Sequence, residues 1–206
     1  QGEPHGQCHL ALCLREEDGS ETDLAAARDL LEQAAGHGLA TAQFALGEMC
    51  AQGEGGELDD AAATQWFRKA TEQGHAAAQH ELGLRLVEGI GIEPNVVEAL
   101  EWYQLAAKQN YVPALFNLGR HLWEGDGVPE DDVEAVRWYR LAADQGLASA
   151  QNNLAVMYRD GMGVPVDHAE AARLFRLAAD QGLASAQSSL GTIYATGRGV
   201  PQDDVE

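Results

Sequence analysis

The eleven residues from Leu141 to Gln151, LAADQGLASAQ, return letter for letter from Leu177 to Gln187, 36 positions later. Self-similarity at such a period marks a fold built from one supersecondary unit stacked on its own copies. The register holds through the chain without insertion or deletion. One column reads Leu10, Leu46, Leu82, Leu118, Leu154 and Leu190. A second reads Gly19, Gly55, Gly91, Gly127, Gly163 and Gly199, and a third Ala27, Ala63, Ala99, Ala135 and Ala171. Five complete repeats start at Gly2, Gly38, Gly74, Asn110 and Gly146, and a partial sixth at Gly182.

The spacing inside each repeat predicts two helices. After Asp131 the apolar positions are Ala135, Trp138, Tyr139, Ala142 and Ala143, the i, i+3, i+4, i+7, i+8 stripe of an amphipathic helix. The column Asp23, Asp59, Asn95, Asp131, Asp167, Asp203 supplies side chains that accept from unpaired first-turn N–H groups, so it predicts N-caps. Three residues on, Glu98, Glu134, Glu170 and Glu206 predict capping boxes. This second helix ends at Gly38, Gly74, Asn110, Gly146 or Gly182, residues that tolerate a left-handed backbone. The first helix carries Ala150, Leu154 and Tyr158 on one face and stops at Gly53, Gly89, Gly125, Gly161 or Gly197. Its small-residue column Gly47, Gly83, Gly119, Ala155, Gly191 predicts a neighbouring helix crossing close to the backbone, because glycine inside a helix costs about 0.5–1 kcal/mol against alanine.

The fourth repeat reads Ala114, Leu118, Gly119, Gly125, Gly127, Val128, Pro129, Asp131, Glu134, Ala135, Trp138, Tyr139, Ala142, Ala143, Gln145, Gly146. This pattern resembles the Sel1-like repeat, a relative of the tetratricopeptide repeat, over essentially the whole chain. The resemblance implies an all-α fold, a right-handed α/α superhelical solenoid of 36-residue helix-turn-helix repeats, here one domain over residues 1–206. It implies a non-catalytic scaffold that binds a protein or peptide on its concave face. Poor matches in the first repeat, Gly6 for Ala and Glu17 for Gly, fit an end unit. Gln1–Gly2 in register with Gln145–Gly146, and Glu206 three residues past a cap, suggest a segment of a longer solenoid. Truncated end repeats leave end-to-end contacts open, and the compartment is open between bacterial cytoplasm and an exported, periplasmic location.

Charge narrows the partners. The net charge is −20, from 33 acidic and 13 basic residues, of which only Lys69 and Lys108 are lysines. Such a surface repels phosphate backbones and anionic membranes, so neither nucleic acid nor a membrane is an expected partner. It fits a well-solvated surface, a basic partner or a salt-rich habitat. No stretch reaches the roughly 20 apolar residues of a membrane-spanning helix. Three cysteines, Cys8, Cys13 and Cys50, argue against a disulfide framework; the paired cysteines of some secreted Sel1-like proteins are absent, and Cys50 reads as a small buried side chain.

Chemistry-bearing motifs are sparse. G-x-S-x-G, Walker A, H-E-x-x-H and S-x-x-K are all missing, so no residue here carries over the family's links to penicillin and β-lactam chemistry; a cell-wall or β-lactam-related enzyme stands as an alternative by family analogy alone, and a structural spacer domain of a larger protein as another. No cofactor is expected. His5 and His9 have helical metal-ligand spacing without a third ligand, and His75, His80 and His121 read as surface residues. Asp126 and its neighbours lack EF-hand spacing. Arg137, Arg140, Arg173 and Arg176 read as intrahelical partners of Glu134, Asp144, Glu170 and Asp180. The informative columns are those that vary. With Leu154 facing inward, the opposite face of the first helices carries Phe44 and Glu48; His80, Leu84 and Val87; Phe116, Arg120 and Trp123; Asn152, Val156 and Arg159; Ser188 and Thr192. In the tetratricopeptide fold this face lines the groove. The expected binding residues are His80, Leu84, Phe116, Arg120, Trp123, Asn152, Val156 and Arg159, and Trp and Arg are frequent anchors.

Overall fold

The computed structural model describes residues 3–16 and 20–196. Over these the chain forms α1 (Pro4–Glu16), α2 (Glu21–Gly36), α3 (Ala40–Gln52), α4 (Asp60–Glu72), α5 (Ala76–Glu88), α6 (Val96–Lys108), α7 (Val112–Glu124), α8 (Asp132–Asp144), α9 (Ala148–Asp160), α10 (His168–Asp180) and α11 (Ala184–Thr196), with no strand among the described residues. The chain divides into two compact bodies, residues 1–109 with α1–α6 and residues 110–206 with α7–α11. Within each body the two helices of a repeat pair as a hairpin, and each hairpin packs on the next through consecutive helices. The expected end caps Gly197, Asp203 and Glu206 lie outside the described residues, as do Glu17, Gly19 and Gly199.

Caps set the helix boundaries. Asp59, Asn95, Asp131 and Asp167 cap α4, α6, α8 and α10, each accepting from a backbone N–H two or three residues on. Asp23 departs from its column. Ser20 caps α2, and Asp23 is the third helical residue, whose carboxylate accepts from the Ser20 N–H at 3.2 Å. This box closes in both directions because no arginine competes for Asp23. In the later repeats the expected boxes stay half-formed. Glu134 pairs with Arg137 at 2.6 Å and Glu170 with Arg173 at 2.7 Å, while Glu98 accepts from the Trp102 indole at 3.3 Å. A charged or aromatic donor one turn away outcompetes a lone backbone N–H.

The second helices end as the Gly/Asn column requires. Gly38, Gly74, Gly146 and Gly182 have φ of 79–89°, and Asn110, at 65°, is the one non-glycine residue with positive φ among the described residues. The turn glycine Gly163 is constrained twice: its φ is 63°, and a Cβ there would lie 2.3 Å from the Asp132 carbonyl.

The core runs through the apolar columns. Leu31, Phe67, Tyr103, Tyr139 and Phe175 are buried, as are Ala27, Ala63, Ala99, Ala135 and Ala171. Leu46, Leu82, Leu118 and Leu154 are buried too, but Leu10 is 52% exposed, since no described helix precedes α1 to cover it. The small-residue column makes room for an aromatic ring. A Cβ on Gly47, Gly83 or Gly119 would come within 2.4–2.8 Å of the ring of Phe67, Tyr103 or Tyr139, contributed by the partner helix of the hairpin. Glutamines add a polar seam: Gln73 donates to Gln43, Gln109 to Gln79 and Gln181 to Gln151, each 30 residues back. Leu115 occupies the matching place in the fourth repeat, and Gln145 turns instead to Asn110 at 3.1 Å.

Candidate binding face

Most of the variable columns of the first helices come out half-buried, with Ser188 and Thr192 exposed. In the first body Phe44 stacks on His75 at 4.8 Å and meets Phe67 at 5.7 Å. Leu84 and Val87 are half-buried, but His80 is only 7% exposed, its ring 5.6 Å from that of Tyr103 and its Nδ1 3.5 Å from Glu81. Arg15, in the same column as Trp123 and Arg159, reaches from α1 to α3, holding Glu48 at 3.3 Å and Glu54 at 2.8 Å. Burial pushes the Glu48 carboxyl above its ordinary range, against the pull of Arg15. Sequence reasoning missed this bridge, although Arg15 stood in a column already marked as variable.

The second body carries the other six expected residues. Phe116 and Trp123 both pack on Tyr139 of α8, at 5.7 Å and, edge-on, at 6.2 Å. Burial pushes the Tyr139 phenol well above its usual value, so it stays neutral and accepts from the Asn153 amide at 3.2 Å. Asn152 donates to Asn153 at 3.2 Å, and Ser185 donates to Asn152 at 3.4 Å. Arg120 and Val156 are half-buried. Arg159 folds back on its neighbour Asp160 through two bonds of 2.7 and 2.6 Å, and this hydrogen bonding draws the Asp160 carboxyl below its ordinary value. Between α9, α10 and α11 a pocket of about 190 Å³ is lined by Arg159, His168, Ala171, Ser188, Ser189, Thr192 and Ile193. The face thus offers two fixed aromatic rings, amide groups and two arginines, the chemistry of recognition.

Other expectations are corrected. His121 is 1% exposed, with Nδ1 3.1 Å from the carboxylate of Asp126 in the following loop, so it is a core residue. His75 is the N-cap of α5, its ring nitrogen accepting from Ala78 at 3.2 Å. Arg137 and Arg173 pair within their helices, but Arg140 donates to the Tyr158 hydroxyl at 2.6 Å and Arg176 to that of Tyr194, each bridging to the next helix. A phenol fixed by packing costs less ordering than the exposed Asp144 or Asp180. Cys50 is buried, as its column predicts, with Arg28 3.5 Å from its sulfur. Among the described residues no helix is long and apolar enough to cross a membrane.

The family comparison agrees with the register. The Sel1 repeat model matches residues 4–39, 40–75, 76–111, 112–147, 148–183 and 184–206. No curated protein matches the chain. Among solved structures, a protective antigen present in uropathogenic Escherichia coli strains and displaying an SLR fold is 36% identical, with a TM-score of 0.89. The match covers 94% of this chain and 42% of the antigen, so the chain spans less than half of that protein. A Sel1 repeat protein from Oxalobacter formigenes is 33% identical with a TM-score of 0.86, over 95% of this chain and 76% of that one. An immunity protein from Pseudomonas aeruginosa, 22% identical with a TM-score of 0.56 over 94% of this chain and 71% of its own, shares the fold. These repeats commonly serve as protein-interaction scaffolds. With six matched repeats and two solved relatives above 30% identity, the chain belongs to the Sel1 repeat family.

Proposed function

We propose that this chain is a non-catalytic scaffold that binds a protein segment on the first-helix face of its second body, through Phe116, Arg120, Trp123, Asn152, Val156 and Arg159. The observation that carries this reading is the pair of rings on Tyr139. Phe116 and Trp123 are half-open to solvent yet held by a fully buried aromatic, so little side-chain freedom remains to be lost on binding. The repeat itself does not require them, since their columns also hold Asn152 and Ser188, and Ala51 and Val87. Leu84 and the buried His80 belong to the matching columns of the first body and are secondary to this site. The net charge of −20 favours a segment that is basic overall and makes association salt-dependent.

The test starts with a pull-down from the source organism's lysate and continues with calorimetry on the identified partner. Trp123→Ala is expected to weaken binding by about 1–2 kcal/mol and Arg120→Ala by a measurable part of that. Equal affinity of both variants and the parent protein would move the site off this face.

A further inference from the structure

We propose that the pocket beside Arg159 is a subsite for one acidic side chain, the carboxylate of a Glu or Asp presented by the docked segment. The identity of that segment rests on the function proposed above; the pocket's preference does not. The repeat supplies an internal control. Arg15 and Arg159 occupy the same column, four repeats apart. In the first body, Arg15 is matched 33 residues on by Glu48, whose carboxylate it holds across the gap to the next first helix at 3.3 Å. In the second body, the residue 33 positions after Arg159 is Thr192, which has no carboxylate to offer. Arg159 turns back to Asp160, and the space between it and Thr192 is the pocket of about 190 Å³.

The same comparison explains why the pocket is open. One repeat earlier, the corresponding positions hold Trp123, Asn152, Asn153 and Val156, and the Tyr139 hydroxyl meets Asn153 at 3.2 Å. The pocket is lined by Arg159, Ser188, Ser189 and Thr192, and the residue in the Tyr139 column is Phe175, without a hydroxyl. Two amides have been exchanged for shorter hydroxyls, and an indole for a guanidinium. The Ser188 and Ser189 hydroxyls and the His168 ring can donate to an oxyanion beside the guanidinium, while Ala171 and Ile193 form an apolar floor for the methylenes of a Glu side chain. The competing Arg159–Asp160 pair joins adjacent residues that are 41% and 34% exposed, so solvent and salt screen it. A carboxylate entering from outside would take the place that Glu48 fills for Arg15.

Blocked amino acids isolate this preference from the rest of the face. The protein is titrated with N-acetyl-glutamate N-methylamide and, separately, with N-acetyl-glutamine N-methylamide, followed by 1H–15N NMR. N-acetyl-alanine with a free carboxylate reports whether a chain terminus serves instead. The glutamate probe is expected to shift the amides of Ser188, Ser189 and Thr192 and the Arg159 Nε–H, and to bind about tenfold tighter than the glutamine probe, the scale of a charge-assisted contact. Arg159→Gln should erase that difference. Thr192→Glu should abolish probe binding without loss of thermal stability, because it restores the internal pairing of Arg15 and Glu48. No shifts at these amides, equal response to both blocked probes, or tighter binding of N-acetyl-alanine than of the glutamate probe overturns the proposal. Probe binding is read at the pocket amides and segment binding by calorimetry, so a wrong groove and a wrong subsite give different results.

Discussion

Gly119 and Gly191 occupy the same column, yet their surroundings make opposite predictions. A Cβ on Gly119 would lie 2.8 Å from the buried Tyr139 ring, whereas one on Gly191 meets nothing within 4 Å among the described residues. Gly119→Leu should therefore lower stability by about 1–3 kcal/mol through overpacking. Gly191→Ala should raise it by about 0.5–1 kcal/mol, because only helix propensity changes. Paired thermal melts check both; a fall for Gly191→Ala would mean that the open site is filled. A second residue-scale prediction concerns pH. Burial lowers the His75 pKa from its ordinary 6.5, and neutral His75 accepts the cap bond of α5. A depressed folded value means that the stabilisation is present in full above pH 6.5 and lost as pH falls below it through the folded value. His75→Asn keeps a capping oxygen that does not titrate, so denaturant melts should show a smaller loss on acidification for the variant than for the parent. Identical pH profiles would remove His75 from the account. The sequence showed where glycine must stand; which atom it yields to needed the ring of the partner helix.

At the scale of the element, boundaries were legible where one short motif decides them and illegible where two compete. Asp131 caps α8 with a 3.0 Å bond to the Glu134 N–H. Asp131→Ala should cost about 1 kcal/mol in a chemical denaturation experiment. Asp23 shares its column but not its role, because Ser20 three residues earlier caps first. For α2 the larger loss should follow Ser20→Ala, which removes the cap and the hydroxyl that donates to the Asp23 carboxylate at 2.7 Å; a larger loss from Asp23→Ala would restore the column's reading. Arg140 shows the same limit. Helical spacing pairs it with Asp144, but the Tyr158 hydroxyl of the next helix is its partner, and that neighbour is set by packing between helices. The candidate face was marked out on the helical wheel, which separates repeated from variable positions. What the wheel could not give was depth. His80 and Trp123 both lie on the variable face, yet His80 sinks against Tyr103 while Trp123 rests edge-on at the surface of Tyr139.

For the whole molecule, the strongest global property is the charge of −20 on 206 residues. The visible ion pairs do little to offset it. Arg137–Glu134 and Arg173–Glu170 are largely exposed, and exposed pairs contribute about 0–1 kcal/mol each. The remaining carboxylates repel one another over the surface, and folding brings them closer than they are in the unfolded chain. Screening relieves this: the Debye length falls from about 10 Å at 0.1 M salt to about 3 Å at 1 M. The melting temperature should therefore rise between dilute buffer and molar NaCl, most steeply at the low-salt end where the screening length changes fastest. Sodium chloride is the appropriate salt, because sulfate would strengthen apolar burial whatever the charge. The same series on a protein carrying several exposed Glu→Gln changes, among them Glu57, Glu101 and Glu130, should show a higher starting value and a shallower slope. A melting temperature that falls with NaCl would mean that Arg15–Glu48–Glu54 and the other partly buried pairs outweigh the net repulsion, and the acidic surface would then be a neutral feature of stability.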